Sequence, residues 1–231
     1  MSARRVLITG GASGLGAAAV EVLAGRGDTI AVLDLKPPAE TAPEVSDVRL
    51  VDLADPRAAE AAVRAAAEAL GGLDAVVTCA GIDACGDLVE VPAQDWERVI
   101  AVNLVGTAAV ARAALPYLDR PGARIVTVAS TLGRRALPAA TAYCASKFGV
   151  VGFSRALAAE TGGRPAVTCL LPGGMATAFF DGRDEQFKPG ADAHLNDPRN
   201  VAAAIAFALD QPEGCEVREL LICPTGEDSW P

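Results

Sequence analysis

Residues 6–16 read VLITGGASGLG, a short apolar run followed by a loop in which positions 10, 14 and 16 are glycine. The run predicts a buried strand, and the alanine-rich residues after Gly16 predict a helix that begins in this loop. Because glycine has no Cβ atom, the backbone can approach a pyrophosphate closely, with the helix N-terminus directed at its charge. The stretch therefore predicts a dinucleotide-binding fold. A glycine turn of purely structural function is the alternative.

Short apolar runs alternate with alanine-rich stretches along the rest of the chain. Strands are predicted at residues 6–9, 30–34, 48–52, 75–79, 124–129, 166–171 and 220–223, and helices at 14–26, 55–70, 92–118, 141–160 and 198–210. This alternation predicts an α/β fold of the Rossmann type, a doubly wound parallel sheet of about seven strands with helices on both faces. Ligands are expected at the carboxyl ends of the strands. Residues 36–46 predict a surface loop, and residues 174–197 a longer variable loop.

The length of 231 residues predicts a single domain that spans the whole chain. A net charge of −9 argues against nucleic acid and anionic membranes as partners. No apolar run reaches the roughly 20 residues that cross a bilayer, and nothing resembles a signal peptide. Six scattered cysteines and one histidine argue against a metal site. The cysteines are expected to be reduced thiols, which predicts a cytoplasmic protein.

Tyr143 and Lys147 are four residues apart in a predicted helix, and Ser130 lies thirteen residues before Tyr143. Positions i and i+4 project from one helix face, so the phenol and the ammonium can meet in one site. A neighbouring cation favours the phenolate and is expected to lower the pKa of the tyrosine from about 10. The Ser130 hydroxyl can then donate a hydrogen bond to a carbonyl oxygen.

Ser130, the segment Tyr143-Cys144-Ala145-Ser146-Lys147 and the glycine loop together resemble the short-chain dehydrogenase/reductase family, over about residues 4–223. The resemblance implies that Tyr143 is the general acid and base, that Lys147 lowers its pKa and binds the nicotinamide ribose, and that Ser130 polarises the substrate oxygen. It also implies that Asn103 holds a water in a proton relay. The alternative for Asn103 is an amide that satisfies a kink in the helix backbone.

The resemblance also implies a set of cofactor contacts, shared between the glycine loop, the strand ends and the catalytic pair. These residues are Gly10, Ser13, Gly14, Leu15, Gly16, Asp34, Asp52, Leu53, Ala80, Gly81, Tyr143, Lys147, Pro172, Gly173 and Thr177. Asp34 closes the second strand, where a carboxylate can bind both ribose hydroxyls and repel a 2′-phosphate, which favours NAD over NADP. The alternative is that Asp34 merely caps a turn. Thr78-Cys79 stands where the family has two asparagines, so no side-chain role is expected there.

The substrate end of the site is less well defined by the sequence. In the family, residues soon after the serine line the pocket, which here implies Leu132, Arg135 and Leu137. Arg134 and Arg135 either bind a carboxylate or phosphate on the substrate or form a solvated basic loop, and the solvated loop is favoured.

The chain is accordingly expected to be an NAD(H)-dependent oxidoreductase that interconverts a secondary alcohol and a ketone, or a small aldehyde and its alcohol. The alternative is a non-catalytic dinucleotide-binding sensor or scaffold, which usually lacks Ser, Tyr or Lys at these positions. A sugar-nucleotide epimerase or dehydratase shares the Tyr–Lys pair but is generally much longer. The predicted long helices at 92–118 and 141–160 are rich in small apolar residues, which predicts a homotetramer, or else a homodimer.

Overall fold

A seven-stranded parallel sheet forms the centre of the computed structural model, which describes residues 3–39, 42–190 and 192–227. The strands are β1 (Arg5–Thr9), β2 (Thr29–Asp34), β3 (Val45–Leu50), β4 (Ala75–Thr78), β5 (Arg124–Val128), β6 (Ala166–Pro172) and β7 (Glu219–Ile222). Their order across the sheet is β3-β2-β1-β4-β5-β6-β7. The strand order reverses between β1 and β4, and a ligand cleft is expected at this switch point. The predicted doubly wound fold is confirmed.

Helices cover both faces of the sheet. They are α1 (Gly14–Ala24), α2 (Pro56–Leu70), α3 (Ala93–Ile100), α4 (Thr107–Ala114), α5 (Thr141–Thr161) and α6 (Pro198–Leu209). Within β1, Leu7 packs with α2, α4 and α5 on one face, whereas Val6 and Ile8 pack with α1 and α6 on the other. Both faces of the central strands are therefore buried, which explains why these strands are continuous apolar runs in the sequence.

One helical segment, Ala93–Tyr117, combines α3, a π-helical turn (Ala101–Gly106), α4 and a short 3₁₀ turn. By length and composition alone it could cross a membrane, contrary to the expectation from the sequence. More than half of its apolar window is buried in the protein, and Val110 and Ala114 belong to the core beside α2. Core packing accounts for its hydropathy.

The third strand differs from its prediction at residues 48–52, because it begins at Val45 and ends at Leu50. It is an edge strand whose residues alternate between half-buried and exposed, so it lacks the continuous apolar run that identifies the inner strands. Val51 still donates a backbone hydrogen bond to Asp34, and Asp52 follows outside the strand. In the two predicted loops, residues 40–41 and residue 191 lie outside the described residues.

We expect Leu170→Ala to destabilise the protein far more than Leu50→Ala, although the side-chain deletion is the same. Leu170 in β6 is 0% exposed, whereas Leu50 in β3 is 61% exposed. A buried leucine truncation costs about 2–5 kcal/mol of unfolding free energy, and an exposed one about 0.5 kcal/mol or less. Urea unfolding of both variants measures the difference, and equal losses would contradict the core described above.

Candidate active site

A cleft of about 990 Å³ opens at the carboxyl ends of the central strands. The structure brings Ser130, Tyr143 and Lys147 together in it, whereas Asn103 lies beneath the wall and is buried. The residues predicted to bind a cofactor all line the same cleft: Gly10, Ser13, Gly14, Leu15, Gly16, Asp34, Asp52, Leu53, Ala80, Gly81, Pro172, Gly173 and Thr177.

The glycine loop requires glycine for steric reasons. A Cβ atom on Gly16 would lie 2.0 Å from the carbonyl oxygen of Gly10, and one on Gly10 would lie 2.8 Å from the backbone of Ala80. Gly14 has a φ of +52°, and a Cβ atom there would meet only the Thr177 side chain. The Ser13 side chain makes no capping hydrogen bond to α1. The amides at the start of α1 are thus left for an anionic ligand, and the loop fits a pyrophosphate.

Asp34 at the end of β2 is held in place by backbone amides. One carboxylate oxygen accepts a hydrogen bond from the amide of Ala12 at 2.9 Å, and the other accepts one from the amide of Lys36 at 3.0 Å. The carboxylate therefore joins the glycine loop to the turn after β2. Each oxygen of an ionised carboxylate can accept further hydrogen bonds, so this turn-capping role and a role in ribose binding are compatible.

Asp52 lies where the chain leaves β3 and contributes the far end of the cleft. It accepts a hydrogen bond from the amide of Ala54 at 2.9 Å and pairs with Arg98 at 2.8 Å. The Ala54 amide and, secondarily, Arg98 lower the pKa of Asp52. Its neighbour Leu53 is buried. Arg98 also lines the cleft, and the sequence did not point to it because its partner lies 46 residues away.

Ser130 and Tyr143 come from adjacent elements that pack tightly. Ser130 begins the 3₁₀ turn Thr131–Gly133 after β5, and its Oγ accepts a hydrogen bond from the amide of Leu132 at 3.1 Å. A Cβ atom on Gly133 would lie 2.7 Å from the carbonyl oxygen of Lys147, so only glycine allows this turn to sit against α5. The hydroxyls of Ser130 and Tyr143 are hydrogen-bonded. Packing of backbone on backbone therefore fixes the distance between these two groups.

Burial raises the pKa of Tyr143, contrary to the expectation that Lys147 lowers it. The hydrogen bond with Ser130 acts in the opposite direction but does not offset the burial. The Lys147 Nζ atom lies 5.5 Å from the centroid of the tyrosine ring and donates a hydrogen bond to the Val128 carbonyl oxygen at 2.9 Å. The ammonium is thus engaged elsewhere, and in this structure the phenol is the favoured form at neutral pH.

Lys147 is a buried cation on the floor of the cleft. Burial lowers its pKa to about 8, which leaves it mostly protonated at neutral pH. Gly81 keeps the approach open, since a Cβ atom there would lie 3.5 Å from the Lys147 Nζ atom. Desolvation raises the pKa of the nearby half-buried Cys79 thiol to about 12 and keeps the thiol neutral.

The side-chain amide of Asn103 forms hydrogen bonds with the loop after β4 and not with the backbone of its own helix. Its Oδ1 accepts a hydrogen bond from the amide of Ile82 at 2.8 Å, and its Nδ2 donates to the Ile82 carbonyl at 2.9 Å and to the Ser146 hydroxyl at 3.0 Å. The backbone carbonyl of Asn103 lies in the π-helical turn and accepts a hydrogen bond from the Thr107 hydroxyl at 2.8 Å. Asn103 therefore positions its neighbours through its side chain.

The turn Thr78-Cys79-Ala80-Gly81 keeps its backbone role without the two amide side chains. The amide of Ala80 donates to the Thr9 hydroxyl at 3.2 Å, which joins the turn to the end of β1. The Thr78 hydroxyl is buried without a hydrogen-bond partner among the described residues. Thr78 does not line the cleft, whereas Cys79 does.

Of the residues predicted to contact substrate, Leu132 and Leu137 line the cleft and Arg135 does not. Arg135 is exposed, and Arg134 forms an ion pair with Glu219, the first residue of β7. The alternative of an anion site at Arg134 and Arg135 therefore gains no support, because Arg134 pairs with β7 and Arg135 lies outside the cleft.

Three charged residues that the sequence analysis did not single out also line the cleft, namely Asp83, Arg183 and Glu227. Asp83 and Arg183 form an ion pair across the substrate end, and Glu227 accepts a hydrogen bond from the Gly174 amide at 2.7 Å. Asp83 lies two positions after Gly81, and this position is the feature of the sequence from which its place in the cleft could have been predicted. Nothing in the sequence pattern pairs it with Arg183, 100 residues later.

Comparisons with known proteins agree with this geometry. The chain matches the family model described as short chain dehydrogenase over residues 4–187. It is 34% identical to (3R)-3-hydroxyacyl-CoA dehydrogenase of Rattus norvegicus over 237 residues, which cover 90% of each protein. It is 32% identical to glycine betaine reductase of Emericella nidulans over 98% of this chain, but it spans only 19% of the length of that relative.

Among solved structures, the fold resembles a short chain dehydrogenase from Burkholderia cenocepacia in complex with NADP. The TM-score is 0.82 at 31% identity, and the match covers 95% of this chain and 96% of the other. The family match extends over most of the chain, and Ser130, Tyr143 and Lys147 meet in the glycine-loop cleft. The chain therefore belongs to the short-chain dehydrogenase family of oxidoreductases.

Proposed function

We propose that this protein interconverts a secondary alcohol and a ketone, or a small aldehyde and its alcohol, with NAD(H) as the cofactor and Tyr143 as the group that moves the proton. The observation that carries the proposal is the convergence of Ser130, Tyr143 and Lys147 on the cleft that also contains the glycine loop and Asp34. The rat relative is named for a 3-hydroxyacyl substrate, which is a secondary alcohol and supports this class.

Different residues of the cleft would hold different parts of a nicotinamide dinucleotide. The glycine loop and the start of α1 would hold the pyrophosphate, Asp34 the adenosine ribose, and Asp52 with Leu53 the adenine. Ala80, Gly81, Pro172, Gly173 and Thr177 would hold the nicotinamide half, with Lys147 at its ribose. The bound group would supply or accept the hydride.

The side chains at the catalytic end would donate or accept the proton of the reaction. The half-buried phenol of Tyr143 has a raised pKa and is protonated at neutral pH, which is the form that can donate a proton to a substrate oxygen during reduction. The Ser130 hydroxyl is held beside the phenol by the Leu132 amide and by its hydrogen bond with Tyr143, and it would turn its proton to the substrate carbonyl when a substrate is bound. In the direction of oxidation, Tyr143 would act as the base, and because its pKa is raised, the phenolate would be favoured only at alkaline pH.

Preference for NAD is supported by the carboxylate of Asp34, which lines the cleft beside the loop that it fixes. A 2′-phosphate on the ribose would place a second negative charge next to this carboxylate and be repelled by it. Lys36, two positions later in the chain, is the nearby cation that would oppose this repulsion. The Burkholderia relative was solved with NADP, so the choice between the two cofactors is tested directly below.

We expect Tyr143→Phe to reduce turnover by at least about 10², the lower end of general acid–base contributions, while NADH binding persists. The ring and its packing are retained, and only the proton-carrying hydroxyl is removed. Tyr117→Phe is the matched control, because Tyr117 is the other tyrosine of the chain and does not line the cleft. The assay follows NADH absorbance over a panel of carbonyls and alcohols.

Near-normal turnover in Tyr143→Phe would remove the tyrosine from the mechanism. A non-catalytic sensor or scaffold makes a different prediction for the same assay. It would bind NADH in the wild type, measured by cofactor fluorescence, without turnover on any compound of the panel.

For the cofactor, we expect Asp34→Asn to relieve the penalty against NADP by about thirtyfold, or about 2 kcal/mol, because it removes the charge. The asparagine oxygen can still accept the hydrogen bond from the Ala12 amide. Asp34→Ala removes both the charge and the hydrogen-bond acceptor. Any loss of NAD affinity beyond that of Asp34→Asn therefore measures how much the Asp34 side chain supports the glycine loop. The measurement is kcat/KM with each cofactor, and a wild type that already prefers NADP would contradict our interpretation of Asp34.

We also propose that the protein is a homotetramer, or else a homodimer, in solution. Val105 and Phe148 are 42% and 45% exposed on the neighbouring segments 93–117 and α5, and apolar groups at such positions favour association. The two segments pack closely, since a Cβ atom on Gly149 would lie 2.7 Å from the Leu104 side chain. A second copy of this surface would cover both side chains across a two-fold axis.

Light scattering is expected to give about four, or two, times the chain mass of 23.5 kDa at micromolar concentration. Phe148→Glu is expected to lower the particle mass because it places a charge in the contact, whereas Phe148→Leu keeps the surface apolar and the assembly intact. A wild-type particle of one chain mass would refute the proposal.

A further inference from the structure

A partly buried ion pair closes the substrate end of the cleft. The Nη2 atom of Arg183 donates to the Oδ2 atom of Asp83 at 2.7 Å, and the two side chains are only 18% and 7% exposed. Asp83 follows the Ala80–Gly81 turn after β4, and Arg183 lies in the loop after β6. The pair therefore ties together two walls of the cleft that come from distant parts of the chain.

Arg183 also holds two aromatic rings beside the catalytic tyrosine. Its guanidinium carbon lies 5.0 Å from the ring centroid of Phe179 and 4.6 Å from that of Phe180. Phe179 in turn packs against Tyr143, with 5.7 Å between ring centroids. A continuous chain of contacts thus runs from Asp83 through Arg183 and Phe179 to the phenol that moves the proton.

The backbone that carries these rings, here called the aromatic segment (residues 178–187), is otherwise held by local contacts. Its described backbone hydrogen bonds join residues three positions apart, as from Asp181 to Ala178 and from Phe187 to Asp184. The Nη1 atom of Arg183 adds a long bond of 3.4 Å to the carbonyl of Phe187 within the segment. Local turns of this kind do not fix a segment against the rest of the fold. Asp83, which lies outside the segment, fixes it to the rest of the fold through the ion pair with Arg183.

Charged and titratable groups from several elements face Tyr143. The loop after β4 contributes Asp83, α5 contributes Lys147 and the thiol of Cys144, and the aromatic segment contributes Arg183. Ser130 is hydrogen-bonded to the phenol from the end of β5. Asp83 raises the pKa of Tyr143 and Arg183 lowers it, so the two members of the ion pair act on the phenol in opposite directions.

We propose that Asp83 and Arg183 form a positioning pair that anchors the aromatic segment against Tyr143 and sets the alignment of its phenol in the substrate pocket. The inference rests on the proposed function for its kinetic consequences, whereas the anchoring itself is independent of the reaction. Neither residue transfers a proton; both act through Phe179 and through their charges.

The test compares Arg183→Met and Asp83→Asn, which remove one charge each with little change in shape, with the double variant. Each single variant is expected to lower kcat/KM by about 10–10², mainly in kcat, because the phenol loses its packing partner, while the affinity for NADH is unchanged. The double variant should lose no more than the worse single one, since the two residues act as a unit. Arg183→Lys keeps the charge and is expected to restore part of the rate.

The pH profile of alcohol oxidation separates positioning by charge from simple loss of packing. Oxidation needs the phenolate, so its rate rises with pH through the pKa of Tyr143. Arg183→Met leaves Asp83 alone and should move this rise to higher pH by about one unit, whereas Asp83→Asn leaves Arg183 alone and should move it to lower pH. Shifts in the same direction, or no shift in either variant, would overturn the proposal.

Hydrogen–deuterium exchange of the aromatic segment provides a readout that needs no activity. Both single variants are expected to exchange faster than wild type in residues 178–187, and Arg199→Met, which breaks the exposed pair with Glu21, is expected to leave this segment unchanged. Faster exchange in both variants, together with a wild type that has no dehydrogenase activity, would refute the proposed function and keep the anchor. Unchanged exchange and rates in an active enzyme would refute the anchor alone.

Discussion

The side chain of Asn103 makes the contacts on which the rest of the site depends. It binds both backbone groups of Ile82 and the hydroxyl of Ser146, and it is almost completely buried. Ile82 stands between Gly81, which borders Lys147, and Asp83, which anchors the aromatic segment. Because buried amide hydrogen bonds are costly to leave unmade, this one residue fixes the loop after β4 relative to the catalytic helix α5.

The π-helical turn in the helical segment 93–117 explains how Asn103 reaches both partners. A widened turn is stable only where its backbone groups find other partners, and the Thr107 hydroxyl satisfies the carbonyl of Asn103. Gly106 lets the turn pack against the backbone of Leu53, where a Cβ atom would lie 2.8 Å from the carbonyl oxygen. The same turn therefore connects the predicted adenine end of the cleft with its catalytic end.

Much of this arrangement could be predicted from local sequence. The glycine loop, the apolar inner strands and the Tyr143–Lys147 spacing are each determined by residues close together in the chain, and the structure brings them into one cleft. The edge strand β3 was misplaced because it is half-exposed and lacks an apolar run. The Asp83–Arg183 pair joins residues 100 positions apart, which no local pattern encodes. The raised pKa of Tyr143 depends on burial, which the local sequence does not encode either.

The proposed reaction of this cleft is hydride transfer between a nicotinamide dinucleotide and the carbon of an alcohol or carbonyl group. The direct measurement uses NADH carrying deuterium at both C4 positions, with the carbonyl panel as acceptors and mass spectrometry of the products. The account predicts an alcohol with a single deuterium at the carbinol carbon. NADH that binds in the cleft without delivering deuterium to any acceptor, or an alcohol labelled elsewhere, would contradict it.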